Sequence, residues 1–461
     1  MTTTAAEIAH HAHGEVISGT ADAVVTSWAF DSRALEPGAC FVALAGDRDG
    51  HDFVRGALGA GATVALVSHP VAGVSAPDGS AIVQVDDVLA GLQELARANR
   101  AARPELTVVA VTGSTGKTST KDLLAAVLAP LGCSANVESY NNEFGLPITL
   151  LNAPADARVV VAEMGERFPG DVAALCAIAR PEIGVVTNVG LAHAEHLGGE
   201  PGAAKAMGEL LASLPAGGLA VLNADDEWTP TLEAPDGVEV ATVGVAADAD
   251  YRIGEVALDE HLHPTFSLNG QRVTVPLHGH HHALNAGLAL AVAHRGFDIE
   301  LSASADALAG VRPARWRLEL HRRADGLTVL NDAYNANPAS MNAALRVLAH
   351  TVTAGRRIAV LGDMRELGVH SDEAHAAVGR QAGESRVDVL IGVGAGGRLI
   401  ADAAGAHVAE VLTAGDAQEA FRITRQVVSA GDTVLVKASR AVGLEVVAEQ
   451  LLAEQPLGGA S

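Results

Sequence analysis

The chain has 461 residues, too many for one ordinary core, and that length predicts about three domains. Hydrophobic residues make up 49% and charged ones 19%, but only 3% is aromatic, so packing must rest on Ala, Val and Leu. The balance of 31 basic against 55 acidic side chains gives −24 at pH 7, which argues against nucleic acid or an anionic membrane as partner, since both need a basic footprint.

Cys40, Cys133 and Cys176 lie far apart with no C-x-x-C pair, so neither a zinc knuckle nor a disulfide framework is expected, and a reducing compartment fits. The start, MTTTAAEIAHHAHGE, has no basic segment followed by an apolar stretch, so no secretory signal is read there. No run of about eighteen apolar residues occurs, so no membrane insertion is expected. These features predict a cytoplasmic α/β protein, taken here as a monomer.

From Ala23 to Asp87, short apolar runs (CFVALAG, TVALVS, AIVQV) alternate with Gly- and Ala-rich stretches, predicting a small α/β domain. ALAGLQELARANRAAR has helical spacing that Pro104 punctuates. LTVVAVTG then reads as a buried strand entering a glycine loop and a helix, KTSTKDLLAAVLAPLG. Further strand-like runs follow at RVVVAEMG, EIGVVTNVG and GLAVLNADD, an order that predicts a parallel sheet with right-handed crossovers. Residues 238 to 276 read as irregular and β-rich, and HHALNAGLALAVAHRG as a helix. A break at VRPAR opens a third region, whose runs LTVLNDAYN, RIAVLGDM, VDVLIGVG and DTVLVKASR again read as βα units. The tail PLGGAS is expected to lack fixed structure.

The turn VTGSTGKTST follows a strand and opens a helix, which makes it a ready anion site. Its spacing, G-x-x-G-K-T from Gly113, is shorter than the common G-x-x-x-x-G-K-[ST]. Gly113 and Gly116 permit the tight turn, Ser114, Thr115 and Ser119 add polar groups, Lys117 can reach phosphate oxygens and the Thr118 hydroxyl can bind Mg²⁺. AEMGERFPGD places Glu163 at a strand end, where a carboxylate can hold a second Mg²⁺, the alternative being an ordinary loop acid. TNVGLAHAEHLG offers His193 and His196, and GAAKAMGELL carries Lys205, by itself an ordinary surface charge. NDAYNANPASM crowds Asp332, Tyr334, Asn335 and Asn337 before a Pro-initiated helix. A zinc reading of LHGHHHALN lacks a second ligand group at suitable spacing.

Together these runs resemble the Mur ligases, the ATP-dependent amide-forming enzymes of peptidoglycan precursor synthesis. The loop TGSTGKT occupies Thr112–Thr118 and NNEFGLPITLL occupies Asn141–Leu151. EMG, AHAEHLG, DAYNANPASM, LGDMRELG (Leu361–Gly368) and VLVKASR (Val434–Arg440) complete the family's set in order. DSRALEPGACFVALAGDRDGHDF resembles a UDP-binding domain, and the similarity extends from about residue 27 to about residue 450. The resemblance implies an α/β protein of three domains: a UDP-substrate domain (1–104), a central P-loop-type ATPase domain with a mostly parallel sheet (105–312) and a C-terminal Rossmann-like domain (313–461). Within the family it points to the branch that joins D-alanyl-D-alanine to UDP-MurNAc-tripeptide through an acyl phosphate, using ATP and two Mg²⁺.

Carried over by that resemblance, Lys117 holds phosphate, and Thr118, Glu163, His193 and a carbamylated Lys205 serve the metals. His281, Asn285, Arg317 and Asp332 meet the nucleotide. Ser32, Arg33, Asn141, Asn142, Tyr334, Asn335 and Asn337 meet the substrates. Four positions depart from the family pattern: His282 stands where Asn is usual, Trp316 for Gly, Ala438 for Gly, and Phe168 for a smaller residue. Arg315 competes with Arg317 for the nucleotide. The competing readings are a branch adding the third residue, a folylpolyglutamate synthase and a nucleotide-binding module without chemistry. DAYNANP, the DSR-type domain and retention of all four reacting positions argue against each in turn.

Overall fold

The structure, a computed structural model, describes residues 3–46, 48–137 and 140–454. The tail expected to lack fixed structure lies outside them. The central unit is built on seven parallel strands in the order Tyr251–Arg252, Glu239–Gly244, Leu219–Asn223, Ile183–Val186, Thr107–Thr112, Val159–Glu163, Cys133–Ala135. Its middle strands are continuous runs of Val, Ile, Leu and Ala because helices cover both faces. Strand Thr107–Thr112 lies between Val159–Glu163 on one side and Ile183–Val186 on the other, so successive crossovers leave it in opposite directions. That is a topological switch point, where the carboxyl ends of parallel strands open a crevice.

The expected helix after the glycine loop is shorter than its sequence suggested. It runs Lys117–Leu128 and tightens into a 3₁₀ turn, Ala129–Leu131, because Pro130 has no amide to continue the ladder. The irregular β-rich stretch supplies the last two strands on one side of the main sheet, Glu239–Gly244 and the edge strand Tyr251–Arg252, and a separate antiparallel sheet of Ala257–Leu258, Pro264–Leu268 and Gln271–Thr274.

The N-terminal unit has a five-stranded sheet in the order Glu15–Gly19, Ala81–Gln84, Val64–Val67, Ala39–Val42, Ser27–Ala29, antiparallel only at its Glu15–Gly19 edge. Its core is continuous with one face of the central sheet: Ile8, Trp28 and Leu92 belong to the same buried cluster as Leu146, Met164 and Met207. The seam is clamped by Asn152, whose side chain accepts from the Trp28 amide (2.8 Å) and donates to the Trp28 carbonyl (2.9 Å).

The C-terminal unit carries six strands, Glu319–Arg322, Thr328–Asn331, Thr433–Lys437, Arg357–Gly362, Val389–Val393 and Glu410–Ala414, parallel except at the Glu319–Arg322 edge. One of its cores lies wholly within it, while the other takes in the buried Leu262 of the central unit, with Leu191 and Leu258 packed against it. No helix of the described residues is long and apolar enough to cross a membrane.

Candidate active site

The phosphate-loop sequence turns at the carboxyl end of the switch-point strand. Gly113 has φ +133°, and a Cβ there would collide with the Thr187 hydroxyl. Gly116 has φ +81°, and a Cβ there would sit 2.8 Å from Asn285 Oδ1. Only glycine fits either place. Asn188 holds the loop open: its carbonyl takes the Ser114 amide (2.9 Å), and its Oδ1 takes the Thr115 amide and hydroxyl (both 3.0 Å). The Ser114 hydroxyl is exchanged with Gly190. Ser114 and Thr115 therefore use their donors on the scaffold. The amides of Gly116, Lys117 and Thr118, at a helix N-terminus, meet no acceptor among the described residues and are the ones left for an anion.

The loop forms one wall of a cavity of about 720 Å³. Ser114 to Thr118, Asn141, Asn142, Glu163 and His193 of the central unit line it together with Arg317, Tyr334 and Asn335 of the C-terminal unit, while Gln93 closes the N-terminal side. Glu163 is 1% exposed; its Oε1 accepts from Asn141 Nδ2 (2.7 Å), whereas its Oε2 is buried with no partner among the described residues. An orphaned buried carboxylate oxygen is expensive unless a cation or donor arrives. With the Thr118 hydroxyl in the same wall, the donor set fits Mg²⁺.

His193 sits at φ +55°, an uncommon backbone state for a non-glycine residue and one that clusters at functional sites. Its Nδ1 is bonded to Glu366 of the C-terminal unit, leaving Nε2 without a partner among the described residues. Asn142 caps the helix Gly145–Asn152 by taking the Gly145 amide (3.0 Å). Arg317 lines the cavity with its guanidinium 4.1 Å from the Tyr334 ring centre. Arg315 instead stacks on Trp316 and pairs with Glu449 at 3.1 Å, outside the cavity. Trp316 itself, at φ +58°, is held between Arg315 and Arg440.

Several expected site residues stand elsewhere. Lys205 is exposed on the helix Glu200–Ala212 and has no hydrogen bond or ion pair among the described residues, because Ala203, Met207 and Leu210 take the buried face. It does not join Glu163 and His193 in the cavity wall. Asp332 is committed to Lys437 (2.7 Å) and to the Leu318 amide (3.1 Å), in a pair that is almost wholly buried. Asn337 caps the helix Pro338–His350 and donates to the Ser114 carbonyl (3.2 Å), so it clasps the phosphate loop rather than facing the cavity.

Asn285 backs Gly116, while Ser119 lines a small adjoining void with His282 and Arg317. His281 is absent from that void, and burial together with the nearby Lys437 charge holds its pKa down at about 4. Ser32 and Arg33 lie on the N-terminal unit with Arg33 turned onto Asp31 (2.7 Å), and neither lines the cavity. They follow Phe30, whose ring meets Tyr140 and Phe144 at 5.1 and 5.3 Å.

The zinc reading of the His-rich run finds no three-residue ligand group there; among the described residues such a group occurs only at Asp49, His51 and His69. There both His51 ring nitrogens are already engaged, Nδ1 with Asp49 (2.6 Å) and Nε2 with the Ser68 amide (2.9 Å). Burial raises the pKa of all three thiols, which disfavours the thiolate. The sequence reading missed Asn188, Glu166 and Glu366, although each lies inside a run it had singled out.

Three family models match in order: the Mur ligase family catalytic domain over residues 25–100, the Mur ligase middle domain over 111–293 and the Mur ligase glutamate ligase domain over 316–440. UDP-N-acetylmuramoyl-tripeptide--D-alanyl-D-alanine ligase of Mycobacterium tuberculosis is 40% identical, with 93% of this chain and 92% of that protein covered. The protein of the same name in Bacillus subtilis is 34% identical, with 94% of each covered. MurF from Acinetobacter baumannii superposes with a TM-score of 0.84 at 27% identity, covering 98% of this chain and 99% of that one. MurF from Thermotoga maritima, solved in complex with ADP, gives 0.77 at 28%, covering 93% and 98%. The chain belongs to the Mur ligase family.

Proposed function

We propose that this chain is an ATP-dependent ligase that joins D-alanyl-D-alanine to UDP-N-acetylmuramoyl-tripeptide in peptidoglycan precursor synthesis. The observation that carries the reading is its near full-length match to ligases of that name, at 34 to 40% identity, in a chain whose phosphate loop and C-terminal Arg317 wall one cleft. A carboxylate is a poor electrophile because oxide would have to leave. Transfer of the γ-phosphoryl group to the tripeptide carboxylate supplies a leaving group. The dipeptide amine then attacks the acyl phosphate, passes through a tetrahedral intermediate and releases phosphate, with ADP as the other product.

In this reading the amides of Gly116 to Thr118 and the ammonium of Lys117 bind the phosphates. Arg317, stacked on Tyr334, brings a second cation from the C-terminal unit. Glu163 Oε2, the Thr118 hydroxyl, His193 Nε2 and a carbamylated Lys205 are the groups that would hold two Mg²⁺. Bound Mg²⁺ supplies positive charge against the charge that builds as phosphate and carboxylate approach. Asn141 orients Glu163, and Glu366 orients His193. Division of the chain near residues 104 and 312 lets the C-terminal unit close over the cleft. The protein works as a monomer in the cytoplasm, where ATP and the nucleotide-linked peptide are found.

The test is phosphate release with UDP-MurNAc-tripeptide and D-Ala-D-Ala, D-Ala or glutamate as amine. Release with the dipeptide alone is expected. Release with glutamate and a folate, or with a third amino acid and UDP-MurNAc-dipeptide, overturns the assignment.

A further inference from the structure

Beneath the phosphate loop lies a second buried carboxylate that the reaction described above does not use. Glu166 is 1% exposed and lines the cavity three residues after Glu163. Its Oε1 is 3.0 Å from Lys117 Nζ, and its Oε2 accepts from the Thr112 hydroxyl at 3.1 Å. A second bond of the ammonium goes back to the Gly113 carbonyl of its own loop. The lysine that has to meet a phosphate is thus already neutralised by a carboxylate fixed at both oxygens, and is drawn toward the loop.

From this geometry we infer that Glu166 is a positioning residue that competes with the nucleotide for Lys117. An incoming polyphosphate must take the ammonium from Glu166, and the freed carboxylate then stands as a buried negative charge beside the anion. Two like charges in one enclosed site repel, and a divalent cation relieves that repulsion. Glu166 therefore weakens nucleotide binding without Mg²⁺ and returns Lys117 to the loop as ADP departs. The inference rests on the reading of this loop as the nucleotide site.

The sign of one measurement tests it. ADP affinity, by titration calorimetry in EDTA, is expected to tighten about tenfold in Glu166→Gln, since the variant removes the charge and keeps the shape. Glu166→Ala, which leaves a small gap in the cavity wall rather than a buried amide, should tighten binding too and covers failure of the Gln variant to fold. In steady state the ATP KM and kcat should fall together as ADP release slows. The gain should be smaller when Lys117 is also changed to Met, because competition for the ammonium is then gone and only the like-charge repulsion is relieved. Unchanged or weaker metal-free ADP binding in the folded variants, or an equal gain without Lys117, overturns the inference. If the parent protein binds no ADP with or without Mg²⁺, the nucleotide reading itself fails and takes the inference with it.

Discussion

His193 of the central unit and Glu366 of the C-terminal unit are hydrogen-bonded through the imidazole Nδ1, although 173 positions separate them. Glu366 also pairs with Arg167 at 2.7 Å, and its carbonyl accepts the Glu195 amide at 3.0 Å. A carboxylate behind one ring nitrogen fixes the tautomer and aims the other, a common arrangement behind metal-bound histidine. Here that carboxylate is delivered by the C-terminal unit, so the orientation of His193 depends on how that unit docks. Glu366→Ala should lower metal affinity or turnover by roughly 10–100-fold. The check is activity against Mg²⁺ concentration beside a thermal melt; an unchanged Mg²⁺ midpoint would reduce Glu366 to a surface latch.

Lys205 calls for a different test because its ammonium stands in solvent, outside the cavity wall. Carbamylation would lengthen the side chain and turn a cation into a carboxylate suited to Mg²⁺. Lys205→Ala should then abolish turnover, and short-chain carboxylates should restore part of it. Full activity in the variant removes Lys205 from the metal site.

Asn152 makes two bonds to the backbone of Trp28 across the seam between the N-terminal and central units, which Arg100 and Arg103 also bridge by donating to the Ala179 carbonyl (2.9 Å) and the Pro154 carbonyl (2.6 Å). Asn152→Ala leaves a partly buried amide and carbonyl without partners, at about 1–3 kcal/mol for each group that stays unsatisfied. A lower unfolding midpoint is expected in chemical denaturation, with earlier proteolytic cleavage near the seam. A melt identical to the parent's would mean that the shared core and the Arg100 and Arg103 bonds hold the units together without Asn152.

Much of the site was legible because local spacing dictates it. The strand, Gly113, Gly116 and Lys117 all lie between residues 107 and 117, and the phosphate loop follows from steric needs that sequence displays. Glu163 was legible as a strand-end acid. Glu166, three residues on, was not: its role comes from a contact with Lys117 across 49 positions, and Asn188 meets the loop across 73. Periodicity cannot report such pairings. Asp332 shows the opposite difficulty, since its residue type suits a ribose but Lys437 already occupies it. Helix spacing does explain Lys205, because neighbours at 203, 207 and 210 claim the buried face.

The Asp332–Lys437 pair bears on stability. Burial pushes the Asp332 carboxyl up and the Lys437 ammonium down, and each partner's charge opposes that shift. Lys437 also donates to the Asn335 carbonyl at 2.8 Å. Lys437→Met leaves Asp332 buried without its cation and should cost about 3–5 kcal/mol, whereas changing both residues to apolar ones of similar volume should recover most of the loss. Denaturant titrations of the single and double variants read this directly.

The adjacent histidines give the fold a predictable weakness toward acid. Burial is the main cause holding His281 down at about 4, helped by the Lys437 and His280 charges. His282 is held well below its ordinary value by burial and then by His281 and His278. In the unfolded chain both titrate near 6.5. Between about pH 6.5 and pH 4 the unfolded state therefore binds more protons than the folded one. Stability from these groups is present above about pH 6.5 and is lost as pH falls toward 4. His282→Asn removes one of the two titrations. The fall in unfolding free energy between about pH 7 and pH 5 should be shallower in that variant than in the parent. Parallel pH profiles in the two proteins would show that His282 does not titrate against folding, and would shift the acid sensitivity to His281 and the carboxylates.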